Sequence, residues 1–152
     1  DAVNIPVIGA GGIADGRGIA AAFTLGASAV QVGTRFLASE ECQIHQNYKN
    51  AVVKAKDIDT VVTGRSTGHP VQVIKNKLAK EYLKLENNNV NIEELEELGK
   101  GALKKAVIDG DIDNGSLMAG QISGMVNKIQ SVKEIIEEMF NEYDNIKCNF
   151  NS

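Results

Sequence analysis

The sequence predicts an α/β fold: the C-terminal part of a TIM (β/α)8 barrel, carrying strands 7 and 8, followed by a mostly helical C-terminal region. Three observations predict it. Ile5-Pro6-Val7-Ile8-Gly9-Ala10 is an apolar run that opens into the pair Gly11-Gly12 and then into a small-residue helix. A second run, Ala29-Val30-Gln31-Val32, follows closely and opens into Gly33-Thr34. The sequence behind these two units is mainly helical in pattern. Barrels of this type often build an anion site from the loops after strands 7 and 8. Two consecutive βα units with no strand-rich sequence after them fit that place. Residues 1–40 are assigned to the barrel units, 41–143 to a helical region packed on the barrel, and 144–152 to a frayed tail.

The elements follow in order. Asn4 to Ala10 reads as the first strand, with apolar residues in succession, so both faces are expected to be covered. Asp15 is placed to cap the next helix, which runs from Ile19 to Leu25 and stops at Gly26. Ala27 to Gly33 is the second strand; Gln31 within it needs partners for its amide if buried. Glu40 to Lys56 reads as a helix, with Ile44, Tyr48, Val52 and Ala55 on one stripe.

Asp59 to Thr63 is a short β-branched run that opens into the polar loop Gly64 to His69. Pro70 is expected to start a helix carrying Val71, Ile74, Leu78, Tyr82 and Leu85 on one face. Asn87 to Asn91 is a break, and Asn91 with Glu94 has capping-box spacing. A helical pattern then runs from Ile92 to Val107, interrupted at Gly99 and Gly101. Ser131 and Glu134 form a second capping box before a last helix with Ile135, Ile136, Met139, Phe140 and Tyr143.

Composition narrows the function classes. The chain has 152 residues, 43% apolar and 24% charged, which is the balance of a soluble globular protein. A net charge of −4 argues against nucleic acid as a partner. No apolar run is long enough to cross a membrane. Cys42 and Cys148 stand in no CxxC pattern and read as two reduced thiols of a cytoplasmic protein. The chain opens on Asp1, a few residues before a strand with nothing upstream to pair with it. It is therefore expected to be part of a larger protein.

Several motifs are excluded. The P-loop spacing is absent, and the relaxed dinucleotide pattern at Gly9, Gly11 and Ala14 lacks the acid that would hold a ribose. Asp109 to Gly115 has the outline of a calcium loop, but its twelfth position is Gly120 and supplies no bidentate acid. Carboxylates paired for acid–base work are not evident either: the acids Glu93, Glu94, Glu96 and Glu97 read as one solvated helix face. What remains is a turn that presents backbone N–H groups to an anion. His45 reads as a surface residue. His69 is either a capping group of its loop or a residue at the mouth of a site. Arg35 either adds charge to the anion site or pairs with a surface acid.

The segments Ile5-Pro6-Val7-Ile8 with Ala10-Gly11-Gly12-Ile13 and Asp15-Gly16-Arg17-Gly18, then Leu25-Gly26-Ala27 and Ala29 to Phe36, resemble the FMN-dependent enoyl-(acyl carrier protein) reductase II group. This group is related to the nitronate monooxygenases. The resemblance extends through Gly68-His69, Ile74-Lys75-Asn76, Gly101-Ala102-Leu103, Asp109-Gly110-Asp111 and Gly115 to Ile122. It implies a barrel with FMN at the C-terminal ends of its strands. Gly11 and Gly12 match positions whose N–H groups face the FMN phosphate, and Gln31, Val32, Gly33 and Thr34 match the strand-8 segment beside it. Met118, Ala119, Gly120 and Gln121 match a segment near the cofactor.

The resemblance further implies NADH or NADPH as reductant, an enoyl-acyl carrier protein as substrate, and a catalytic histidine in the earlier part of the barrel, so no catalytic residue is assigned in this chain. Open strand edges call for a partner: the rest of the barrel, and a second copy in a homodimer. Two other readings stand beside this one. The first is a nitronate monooxygenase, which uses oxygen. The second is a truncated chain that is inactive alone, because two or three strands cannot close a barrel.

Overall fold

The computed structural model describes residues 2–88 and 91–150; of Phe150 only the backbone is considered. The start at Asp1, the middle of the expected break at Asn89-Val90, and the last two tail residues lie outside the described residues.

Strand β1 (Ile8–Ala10) pairs in parallel with β2 (Ala29–Gln31), with Ala10 opposite Gln31. Helix α1 (Gly16–Thr24) makes the crossover. Its cap is the expected one: the Asp15 carboxylate accepts from Arg17 N–H at 3.0 Å and Gly18 N–H at 3.1 Å. Gly26 ends the helix at φ +95°, a conformation that favours glycine. Both strands are shorter than the apolar runs suggested, because each ladder has a single partner. For the same reason the expected burial on both faces is absent. Ile5 is 70% exposed and Ile8 60%.

After a short helix α2 (Thr34–Leu37), the chain reaches α3 (Gln46–Lys54). The helix expected from Glu40 therefore starts six residues later. Residues 39–45 are held otherwise: Ser39 bridges to Gln130, Glu40 N–H donates to the Gln130 carbonyl at 2.9 Å, and the buried Lys49 ammonium donates to the carbonyls of Ser39 and Glu40.

The helix expected from Pro70 is overturned. Val71–Ile74 is a strand, β4, antiparallel to β3 (Thr60–Thr63), with Thr63 opposite Val71. The apolar spacing of Val71 and Ile74 suits a helix turn as well as a strand. The hairpin decides between them, through Gly64 and Gly68 at positive φ and the His69 N–H on the Gly64 carbonyl. Helix α4 (Lys77–Asn87) begins at Asn76, whose side chain accepts from Ala79 N–H at 2.9 Å. In α5 (Ile92–Gly99) Asn91 is the cap, but its side chain pairs with Glu93 and not with Glu94.

Helix α6 (Ala102–Lys104) continues into a π-type turn at Lys105–Asp109. The Asp109 to Gly115 turn is closed by Asp111, which accepts from the N–H groups of Asp113 and Asn114. Residues 117–119 then lie along β4: Ile74 N–H donates to the Leu117 carbonyl at 2.9 Å and Ala119 N–H to the Gln72 carbonyl at 3.1 Å. A 3₁₀ turn at Gln121–Met125 leads to α7 (Val132–Phe150). The Ser131–Glu134 capping box forms as expected, with Ser131 N–H on Glu134 at 2.8 Å and Glu134 N–H on the Ser131 hydroxyl at 3.2 Å. The tail expected to fray from Asp144 is helical through Phe150, because a seated helix extends at little cost per residue.

Two cores result. Ile13, Ile19, Ile135 and Met139 join α1 and α7 over β2. Tyr48, Val52, Ile74, Leu117 and Val126 join α3, the hairpin and the 117–126 segment. The two helices of the first core meet closely at Gly16, where a Cβ would lie 2.5 Å from the Met139 carbonyl oxygen and the Tyr143 nitrogen.

Candidate functional site

The parallel register places the turn after β1 and the turn after β2 at the same sheet end. Gly11 and Gly12 sit at φ +92° and +74°. Nothing lies within 4 Å of where a Cβ would project from either of them or from Gly33. Their backbone is thus bare to an approaching group, and this is the shape an anion cradle needs. Gln31 is exposed at the rim and does not meet the buried environment in which its amide would require protein partners, while Val32 is half-buried against the α1–α7 core.

Thr34 reaches the other predicted segment. Its hydroxyl oxygen accepts the Gly120 N–H at 2.9 Å, and this one bond joins the β2 turn to Met118–Gln121. That segment has two further ties. The Tyr48 hydroxyl donates to the Met118 carbonyl at 2.7 Å, and burial pushes the Tyr48 hydroxyl well above its ordinary range. Ala119 is buried on β4, whereas Met118 and Gln121 are exposed. The two open turns thus lie at one sheet end, and the second is bonded to the Met118–Gln121 segment.

Behind Met118 lies an apolar cavity of about 170 Å³, lined by Val71, Val73, Leu78, Tyr82 and Leu103 among others. No sequence pattern marked it, because its walls come from the hairpin, α4 and α6. Val71 and Val73 face it from one side of β4, the side shared by Met118.

Among the described residues Arg35 does not pair with a surface acid. Arg35 is 7% exposed, and one guanidinium nitrogen (Nη2) donates to the Gln130 side-chain oxygen. Burial lowers its pKa, and the charge of Glu138 opposes that shift. The Gln130 amide in turn donates to Glu138 at 2.7 Å, and Lys128 pairs with the same carboxylate oxygen at 2.6 Å. Those two contacts hold Glu138 below the usual carboxylate range. Sequence reasoning had no access to this chain of contacts, since Gln130 lies 95 residues beyond Arg35.

His45 is not a free surface residue: its Nδ1 accepts from Asn47 N–H at 3.1 Å as the cap of α3. His69 is exposed in the β3–β4 hairpin. Among the described residues no group of three potential metal ligands converges, and both cysteines are free. Among the described residues no helix is long and apolar enough to cross a membrane.

The sequence model of the nitronate monooxygenase family matches residues 1–142. A probable nitronate monooxygenase of Staphylococcus saprophyticus is 36% identical over 146 residues, which is 96% of this chain and 41% of that protein. Among solved structures, FabK from Thermotoga maritima superposes with a TM-score of 0.93 at 48% identity, over 98% of this chain and 47% of that one. A nitroalkane oxidase from Streptomyces ansochromogenes superposes at 0.78 with 29% identity, over 97% of this chain and 42% of that one. The chain thus spans less than half the length of these relatives, and its α/β fold matches the C-terminal half of the two barrel enzymes. The chain belongs to the nitronate monooxygenase family.

Proposed function

We propose that this chain is the C-terminal half of an FMN-dependent enoyl-(acyl carrier protein) reductase, with β1 and β2 as strands 7 and 8 of its barrel. The single observation that supports the reading is the junction at Thr34 and Gly120, which ties Met118–Gln121 to the bare turn after β2, at the sheet end it shares with Gly11-Gly12. The residues fit an FMN phosphate: glycine N–H groups without side chains, beside a Thr34 hydroxyl whose proton stays available to an acceptor while its oxygen receives Gly120. Gly11, Gly12, Gly33 and Thr34 would hold the phosphate, and Met118–Gln121 would pack near the flavin. When bound, the flavin supplies hydride transfer between NAD(P)H and the β-carbon of an enoyl thioester.

This chain's own part is to bind and orient. The glycine turns fix the phosphate, Thr34 aligns the Met118–Gln121 segment, and the apolar cavity behind Met118 excludes water and suits an acyl chain. That cavity supports a fatty enoyl substrate over a small nitronate. Likeness to FabK, an enoyl-ACP reductase II, at 48% identity supports it further.

The family name and the curated relatives favour a second reading, a nitronate monooxygenase using oxygen. An assay of the complete enzyme separates the two. The reductase predicts enoyl-thioester-dependent loss of NAD(P)H absorbance. Oxygen uptake with an alkyl nitronate, and no turnover of the thioester, would overturn it.

A further inference from the structure

Arg35 is the least explained charged group in the described structure. It is 93% buried by its 7% exposure, yet among the described residues no carboxylate stands within ion-pair distance of it. Its Nη2 donates to the neutral Gln130 amide oxygen. Its Nη1 is buried with no acceptor. The nearest acid in this network, Glu138, is reached only through Gln130 and is already shared with Lys128. A buried cation of this kind is unfavourable without a counter-charge, and a neutral apolar side chain would serve packing better. Arg35 also directly follows Thr34, the residue that joins the two parts of the site.

We propose that Arg35 is a positioning residue for the phosphate end of the flavin site: tied to Gln130, it fixes the adjoining Gly33-Thr34 corner, and its buried charge, next in the chain to Thr34 and without a carboxylate in ion-pair contact, favours a dianionic ligand. This rests on the flavin reading above. The tie is rigid because Gln130 is itself anchored by main chain. It bridges Ser39, its N–H donates to the Ala38 carbonyl, and its carbonyl accepts from Glu40. The corner therefore cannot drift relative to Gln130 and residues 38–40 without breaking the Arg35–Gln130 contact.

The test compares FMN with riboflavin, which carries the same ring without the phosphate. Dissociation constants are measured by flavin fluorescence quenching on the full-length protein, in wild type, Arg35→Met, Arg35→Lys and Gln130→Met. Arg35→Met should weaken FMN about tenfold or more and riboflavin less than about twofold. Arg35→Lys, which keeps the charge, should recover part of the FMN preference. Gln130→Met, which keeps the charge but frees the corner, should fall between. Equal losses for both ligands in these variants, or an unchanged FMN preference, would overturn the inference and leave the flavin reading intact. If Arg35→Met does not fold, the ratio in the other two variants decides by the same criterion. A wild-type protein that binds neither ligand, or binds both equally, overturns the phosphate-site reading and the inference together.

Discussion

Thr34 and Gly120 are 86 residues apart, and the hydroxyl of one receives the N–H of the other at 2.9 Å. A Cβ on residue 120 would stand only 3.1 Å from that oxygen, so the approach depends on glycine as well as on threonine. Thr34→Val keeps the shape and removes the acceptor, leaving the Gly120 N–H unpaired. It should cost about 1–2 kcal/mol in chemical denaturation and weaken flavin binding, whereas Thr34→Ser should stay near wild type. Equal behaviour of the two variants would show that the hydroxyl is not used.

The open turn makes a different prediction. Gly12→Ala meets no atom within 4 Å, so any loss arises from its φ of +74°. The conformational strain should be about 1 kcal/mol. A methyl over a bare cradle should also hinder a bound phosphate, so FMN retention should drop further than stability does. Titration of flavin beside an unfolding curve measures both.

At Gly16 the usual sign reverses. In an exposed helix Gly→Ala stabilises by up to about 1 kcal/mol. Here a Cβ would strike the α7 backbone at 2.5 Å, and backbone cannot step aside cheaply. Gly16→Ala should lose about 2 kcal/mol or more, through separation of α1 from α7. Denaturant midpoints of the two proteins check it.

Asp15 gives a pH dependence. Burial opposes its charge, but hydrogen bonds from Arg17 and Gly18 win and hold its pKa below the ordinary 3.8. A folded pKa below the unfolded one stabilises above the unfolded value and is lost as pH falls through the folded one. Asp15→Ala should therefore destabilise by about 1 kcal/mol at neutral pH. The gap between the two proteins should begin to close below about pH 4. A gap that stayed constant down to pH 2.5 would contradict a charged cap.

Flavin occupancy tests the organisation as a whole. Among the described residues only two strands pair in parallel, and β1 exposes Ile8. Purified alone, the 152-residue chain should retain little flavin through gel filtration. Joined to the remaining barrel, it should show a stoichiometric band near the visible flavin maximum. Stoichiometric flavin on the chain alone would mean that the site is complete without other strands.

Local signals in the sequence are legible where the partners are near in the chain. Asp15, Gly26 and the Ser131–Glu134 box act within three residues of themselves, and all form as expected. The two glycine turns share a sheet end through the parallel register, and the third segment reaches the second of them through Thr34. Failures came where two periodicities overlap or where partners are remote. Val71 and Ile74 satisfy helix and strand patterns alike, and only pairing with Thr60–Thr63 resolves them. Arg35 shows no local sign that a glutamine 95 residues away will receive it. The apolar cavity is a product of three elements meeting, and no single stretch encodes it.

The three ties on residues 118–120 have one property in common. Tyr48 holds the Met118 carbonyl, Gln72 holds the Ala119 N–H by its carbonyl, and Thr34 holds the Gly120 N–H. Each grips main chain. The side chains of Met118 and Gln121 consequently carry no structural duty in this lattice of bonds. Either side chain can be exchanged without breaking a bond that holds the backbone beneath it.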